Sequence, residues 1–214
     1  MAQEPPHELL DRWNVSRESR RKLEVYVTLL LTWQERINLI GPSTAGQIWP
    51  RHIADCLQLL PLLPPEIPAI ADLGSGAGLP GLVIAIVTGA PVHLYESNGK
   101  KAAFLREAIR HTGASARVHQ RRIETLRDDP APPKIGVVLA RALAPLVELL
   151  DHARPFLEAG AIGLFHKGQD VDAELAIATR GWKLSYSKHP SLTDSHGVIL
   201  EVKEALLVRS QPSA

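Results

Sequence analysis

The side chains best placed to do chemistry gather around one turn. In "IADLGSGAGLPGLVIAIV", residues 70–87, Asp72 precedes Gly74, Gly76 and Gly78 between two apolar runs, and Glu96 follows Gly76 by twenty residues. Glycines at this spacing let a ligand approach bare backbone. A dinucleotide turn reads G-x-G-x-x-G and seats a pyrophosphate on the helix N-terminus. Here the order is G-x-G-x-G, with Leu79 in the place of the third glycine, and a carboxylate at Asp72 disfavours a diphosphate. That carboxylate suits the cationic amino group of S-adenosylmethionine, and Glu96 is placed to accept both hydroxyls of a ribose. Three readings stay open on these residues. Asp72 favours S-adenosylmethionine, Glu96 serves a nicotinamide dinucleotide equally well, and in a ligand-free turn Asp72 only caps backbone amides.

A methyl donor at that turn raises the question of the acceptor. The stretch "LARALAPL" ends in the region that faces substrate and offers Arg141, not the Asn/Asp-Pro-Pro-aromatic tetrad that accepts a hydrogen bond from an exocyclic amine. Carbon methylation of cytosine needs a thiolate, and the one cysteine, Cys56, lies far away in the chain. Ribose methylation needs a lysine beside an acid, and Lys167 has no carboxylate at the end of the preceding strand. The N7 of guanine carries a free lone pair, so its methylation asks only for positioning and desolvation. Arg141 also has a structural reading, as an ion-pair partner of Glu148 or Asp72. Between Lys100 and Arg127 eight basic side chains stand against Glu107 and Glu124. Arg121 and Arg122 belong to this stretch, which attracts phosphates or forms a solvated face, and Glu124 is either a ligand residue or their surface partner.

The elements that must position these groups alternate. After a long amphipathic helix with Ser16, or alternatively Ser19, as its candidate N-cap and Leu23, Tyr26, Leu30, Trp33 and Ile37 on one face, a second helical segment "IWPRHIADCLQLLPLL" ends in "PLLPPEIP". Residues 1–66 therefore form an N-terminal helical extension. Residues 67–209 follow with strand-helix units, starting "AIADL", then a helix with Pro80 at its first position, and ending in two strands, "WKLSYSKHP" and "GVILEVKEA", without a helix between them. Residues 210–214 are a C-terminal tail. This predicts an α/β fold: a Rossmann-like, mostly parallel seven-stranded sheet with an antiparallel edge hairpin, the arrangement of class I S-adenosylmethionine-dependent methyltransferases. The scattered tryptophans are expected to pack and not to stack on bases.

Composition bounds the rest. With 24 basic and 23 acidic side chains in 214 residues, the chain is expected to be a globular protein with one substantial core. A lone cysteine makes no internal disulfide and no metal-ligand pair, apolar runs are too short to span a bilayer, and "MAQEPPHELLDRW" lacks a signal peptide's pattern. The expectation is a cytoplasmic monomer with no metal and no membrane.

"RHIADCLQLLPLL", "ADLGSGAGLPGLVIAI", "YESNGKKAAFLRE", "QRRIETL", "ARALAPL" and "FHKG" resemble, in order and spacing, the bacterial glucose-inhibited division protein B family, the 16S ribosomal RNA guanine-N7 methyltransferases. The resemblance spans about residues 20–203. It implies S-adenosylmethionine as cofactor, guanine N7 in a small-subunit loop as target, and 16S ribosomal RNA or the small ribosomal subunit as partner. It further implies Gly74 and Leu79 as cofactor contacts, Glu96 as the ribose acid, Ile123 and Glu124 at the adenine edge, and Arg141 beside the methyl group, with Lys167 next to it holding a phosphate. His52 and Asp55 match the family's R-H-I-x-D, a lid or packing contact. Two departures stand out: Cys56 replaces the usual serine, and "TDSHG" lacks an arginine, leaving His196. An inactive RNA-binding protein on the same fold and a nicotinamide oxidoreductase remain as alternatives, separated by which ligand binds.

Overall fold

The computed structural model describes residues 6–128 and 133–208; the expected tail, 210–214, lies outside the described residues. Two helices open the chain, α1 (His7–Asp11) and α2 (Arg17–Gln34). Ser16 caps α2, its hydroxyl accepting from the Ser19 N–H at 3.1 Å. Leu23, Tyr26 and Leu30 recur every three or four residues and are fully buried.

The second helical segment is less regular than its periodicity predicts. A 3-10 turn (Pro42–Gln47) leads into a π-helical turn (Trp49–Ile53), then α3 (Ala54–Leu57) and another 3-10 turn (Leu60–Leu62). The Ala54 N–H reaches back five residues to the Trp49 carbonyl. This places His52 and Asp55 side by side, pointing the same way as the sheet's ligand edge.

Strand-helix units follow: β1 (Ile70–Leu73), α4 (Gly81–Thr88), β2 (Val92–Tyr95), α5 (Gly99–Thr112), β3 (Ala116–His119), β4 (Val137–Arg141), α6 (Leu146–Leu157), β5 (Ile162–Lys167) and α7 (Val171–Ala178). The chain ends in β6 (Trp182–Pro190) and β7 (Val198–Leu207). Pro80 sits at the N-cap of α4, one position before the predicted one. The seven strands lie in the order β3-β2-β1-β4-β5-β7-β6, parallel except that β7 runs antiparallel to both neighbours. A β-hairpin at the edge requires this: two strands joined without a crossover helix must run opposite ways.

Helices cover both faces. On one, α2, α4 and α5 pack with the inward residues of β1 and β2, so the N-terminal helices share one hydrophobic cluster with Leu82, Leu94 and Phe104. On the other, α6 and α7 meet β4, β5 and β7 around Phe156, Phe165 and Trp182. Trp33 meets Phe104 edge-on at 5.8 Å, and Trp49 and Trp182 are buried, as packing tryptophans should be. The order reverses between β1 and β4, which opens a crevice at their C-terminal ends where ligands bind in such sheets.

Candidate active site

At that crevice the chain leaves β1 with Gly74, Gly76 and Gly78 at φ +68°, +55° and +87°, a backbone that side-chain-bearing residues rarely adopt. Gly74 has a second reason to be glycine, because a Cβ there would lie 2.5 Å from Leu143 Cδ1. Glu96, past the end of β2, ties the turn down. Its Oε2 accepts from the Gly76 N–H at 2.9 Å and its Oε1 from the Asn98 N–H at 2.7 Å. Each oxygen keeps a further acceptor position. From behind, Tyr26 of α2 donates to the Ala77 carbonyl at 2.7 Å.

A cleft of about 300 Å³ opens in front of the turn. Of the residues singled out in the sequence, Gly74, Gly76, Glu96, Arg121, Arg122, Ile123 and Glu124 line it. Lys101 of the basic stretch lines it too, as do Tyr95, Ser97 and Leu143, to which the sequence assigned no role. Arg121 is half-buried and donates to Thr125 Oγ1 at 3.0 Å, whereas Arg122 and Glu124 are exposed. Two cations of the basic stretch have side-chain partners: Arg127 pairs with Asp151 and Arg106 donates to Gln120.

Asp72, Gly78 and Leu79 do not line this cleft. Gly78 faces inward, close against Leu82 and Leu105, and Leu79 is buried. Asp72 lies beneath the turn with 1% exposure, its Oδ2 accepting from the Gly81 N–H at 3.3 Å and its Oδ1 buried without a partner. In this position Asp72 clamps the start of α4 from beneath the turn. Burial pushes its carboxyl up to about 7, against 3.8 ordinarily.

This has a consequence for stability. Between pH 3.8 and about 7 the folded chain keeps a proton at Asp72 that the unfolded chain has lost, so this group makes stability fall as pH rises. His52 acts oppositely, since burial and Arg141 lower it from 6.5 to about 4, and its contribution rises with pH over that window. Asp72→Asn removes the falling contribution. Its unfolding free energy from denaturant titrations should climb more steeply than wild type between pH 4 and 6.5; parallel profiles would contradict the buried, protonated carboxyl.

Beyond the end of β4 lies a second cleft, of about 260 Å³. Arg141 faces this one, and Ala142, at φ +49°, lines both clefts. A non-glycine residue held in that region costs energy and marks a backbone constrained by its surroundings. The guanidinium of Arg141 pairs with neither Glu148 nor Asp72. Its Nη1 stands 3.1 Å from Asp55 Oδ2, and its Nη2 donates to His52 Nδ1 at 2.9 Å. A guanidinium only donates, so His52 Nδ1 accepts and its Nε2–H donates to Thr44 Oγ1 at 2.8 Å. The lowered pKa keeps His52 in this neutral form.

Lys167 also lines the second cleft, but its ammonium is spoken for. It lies 2.6 Å from Glu174 Oε2 and donates to the Ala144 carbonyl at 3.1 Å, with the side chain 8% exposed. The acid that the sequence did not offer Lys167 at the end of β4 comes from α7. Glu174 Oε2 also accepts from the Leu146 N–H at 2.5 Å, satisfying an open donor at the start of α6. Lys167 therefore braces the loop after β4 while it lines the same cleft as Arg141. Cys56, distant along the chain, is carried by α3 to where the charge of Arg141 acts on its buried thiol, so it is near the site after all. Burial pushes that thiol well above the ordinary range, and it supplies no thiolate. His196 is exposed, and its loop reaches the second cleft through Ser191, Thr193 and Asp194 instead.

The sheet order, the antiparallel β7 and the glycine turn define the class I S-adenosylmethionine-dependent methyltransferase fold. A precorrin-6y C5,15-methyltransferase from Geobacter metallireducens GS-15 superposes with TM-score 0.53 at 14% identity, over 78% of this chain and 91% of its own. A mutant of MtNAS solved in complex with S-adenosylmethionine gives TM-score 0.56 at 16% identity, over 87% and 76%. Within that class the chain belongs to the family described as rRNA small subunit methyltransferase G, which it matches over residues 19–202. A relative from Paramagnetospirillum magneticum, named ribosomal RNA small subunit methyltransferase G, is 45% identical over 207 residues, 97% of this chain and 99% of its own. Another, of the same name, from Rhodopseudomonas palustris is 50% identical over 192 residues, 88% and 81% of the two chains.

Proposed function

We propose that this protein transfers a methyl group from S-adenosylmethionine to the N7 of a guanine in 16S ribosomal RNA of the small ribosomal subunit, acting in the cytoplasm as a single chain. The observation that carries this reading is the pair of clefts meeting at Ala142, one walled by the glycine turn and Glu96, the other by Arg141. Residues 67–209 form the catalytic unit and residues 1–66 its helical extension.

The first cleft fits the cofactor. Gly74 is a cradle that a Cβ would fill, Gly76 offers bare backbone, Glu96 has acceptor positions for ribose hydroxyls, and Ile123 and Glu124 present an apolar wall and an acceptor for the adenine edge. S-adenosylmethionine supplies a methyl group on a positively charged sulfur, ready for in-line displacement. The protein's own task is alignment, since guanine N7 needs no deprotonation. Arg141 holds the acceptor nucleotide in the second cleft, where the extruded base is shielded from water. Among the described residues no helix is long and apolar enough to cross a membrane.

Labelled S-adenosylmethionine offered with small and large ribosomal subunits tests the substrate class: label is expected in 16S ribosomal RNA only. Arg121 and Arg122, both lining the cofactor cleft, contact the RNA phosphates, Arg122 being the more exposed. Charge reversal, Arg122→Glu, should weaken RNA binding and flatten its dependence on log salt by about one unit. A salt slope equal to wild type would place the RNA on another face.

A further inference from the structure

Asp55 lies in the N-terminal extension, in α3, yet three separate parts of the chain converge on it, beside its own neighbour Gln58. Its Oδ2 is 3.1 Å from Arg141 Nη1 at the end of β4. Its Oδ1 accepts from Gln58 Nε2 and from Thr193 Oγ1, each at 2.7 Å. Its backbone carbonyl accepts from His166 Nε2, in β5, at 2.9 Å. Gln58 in turn holds the loop after β6, accepting from the Leu192 N–H at 2.9 Å. The carboxylate is 12% exposed, and both its oxygens are occupied by side chains that wall the second cleft.

We propose that Asp55 is a positioning residue for methyl transfer: it fixes the guanidinium of Arg141 and the Ser191–Thr193 wall of the acceptor cleft in one arrangement. The proposal rests on the methyltransferase reading above. Arg141 stands on a strand end followed by the strained Ala142, and a long guanidinium side chain has many rotamers. His52 accepts from Nη2, and the Asp55 carboxylate faces Nη1, itself buried without a hydrogen bond, at ion-pair distance, both from the same short segment. A group fixed by such partners acts without reorganising when the acceptor arrives. Asp55 does not touch the cofactor cleft, so its effect should fall on turnover and spare cofactor binding.

The test is single-turnover methyl transfer to small subunits lacking the modification, using wild type, Asp55→Asn, Arg141→Ala and the double variant, each checked for folding by its thermal melt. Asp55→Asn should slow transfer on the order of 10- to 100-fold, the scale on which a misplaced group slows a positioned reaction. The KM for S-adenosylmethionine should move less than about 3-fold, as expected when only transition-state contacts are lost. In the double variant the Asp55 substitution should add nothing to the loss from Arg141→Ala, because coupled residues are not additive. Thr193→Val keeps the charge pair and removes one donor to Asp55, so it serves if Asp55→Asn fails to fold; a turnover loss of about 3-fold is expected, with cofactor KM unchanged. Unchanged turnover in the folded variants, or losses that multiply in the double variant, would overturn the positioning role. A wild-type chain that transfers no methyl would overturn the methyltransferase reading and this proposal with it.

Discussion

Glu96→Ala should lower the affinity for S-adenosylmethionine by roughly 100-fold, as losing charge-assisted hydrogen bonds worth about 1.5–3 kcal/mol each would. The carboxylate does two jobs at once. It accepts the N–H of Gly76 and of Asn98, which sets the curvature of the glycine turn, and it faces the cleft with acceptor positions left for a ribose. Alanine releases both backbone donors and removes the ribose contact. Glu96→Gln should fare little better, because an amide has one acceptor oxygen and turns its NH₂ toward one of the two N–H groups. Calorimetry on the two variants decides this. Affinities within about 3-fold of wild type would mean that the turn holds its shape alone and that the ribose is bound elsewhere.

Arg141→Ala should have the largest effect on turnover, a loss of about 10²- to 10³-fold, comparable to removing one preorganised electrostatic contact. It should also cost stability. The guanidinium and the Asp55 carboxylate are 21% and 12% exposed, so deleting one leaves the other's charge poorly solvated. A fully buried pair broken this way loses about 3–5 kcal/mol, and residual exposure here brings the expected loss nearer ~2 kcal/mol. The double variant Arg141→Met with Asp55→Asn removes both charges. Its melting temperature should recover toward wild type while turnover stays low. Recovery of both would show that Arg141 is only a structural partner; recovery of neither would show that the segment from His52 to Asp55 packs only around the intact pair.

The features that could be read from sequence are those whose signals are local. The glycine turn, the capped α2 and the strand-helix alternation depend on residues within one turn or strand of each other, and Glu96 follows from the length of one strand-helix-strand unit. What could not be read was direction. Asp72 stands at a good spacing before Gly74, but alternation in a fully buried strand gives no cue to which side of the turn its carboxylate faces. The partners of Arg141 come from the π turn and α3, some ninety residues earlier in the chain. Cys56 illustrates the same limit: distance along the chain says little about distance from Arg141. Glu174 was within reach, because an acid at the start of the helix after β5 is a natural partner for a lysine at that strand's end. The expectation of a regular helix also misled over residues 48–63, where a π turn and a 3-10 turn break it and His52 and Asp55 come to line the cleft.

The central claim is tested most directly by identifying the product. Small ribosomal subunits lacking the modification would be incubated with the protein and methyl-labelled S-adenosylmethionine, the RNA digested, and the labelled nucleoside identified by mass spectrometry. Label in 7-methylguanosine, lost with Glu96→Ala at low cofactor concentration and with Arg141→Ala at any concentration, is the predicted result. Label in any other nucleoside, or none from a chain that binds S-adenosylmethionine and small subunits, would contradict it.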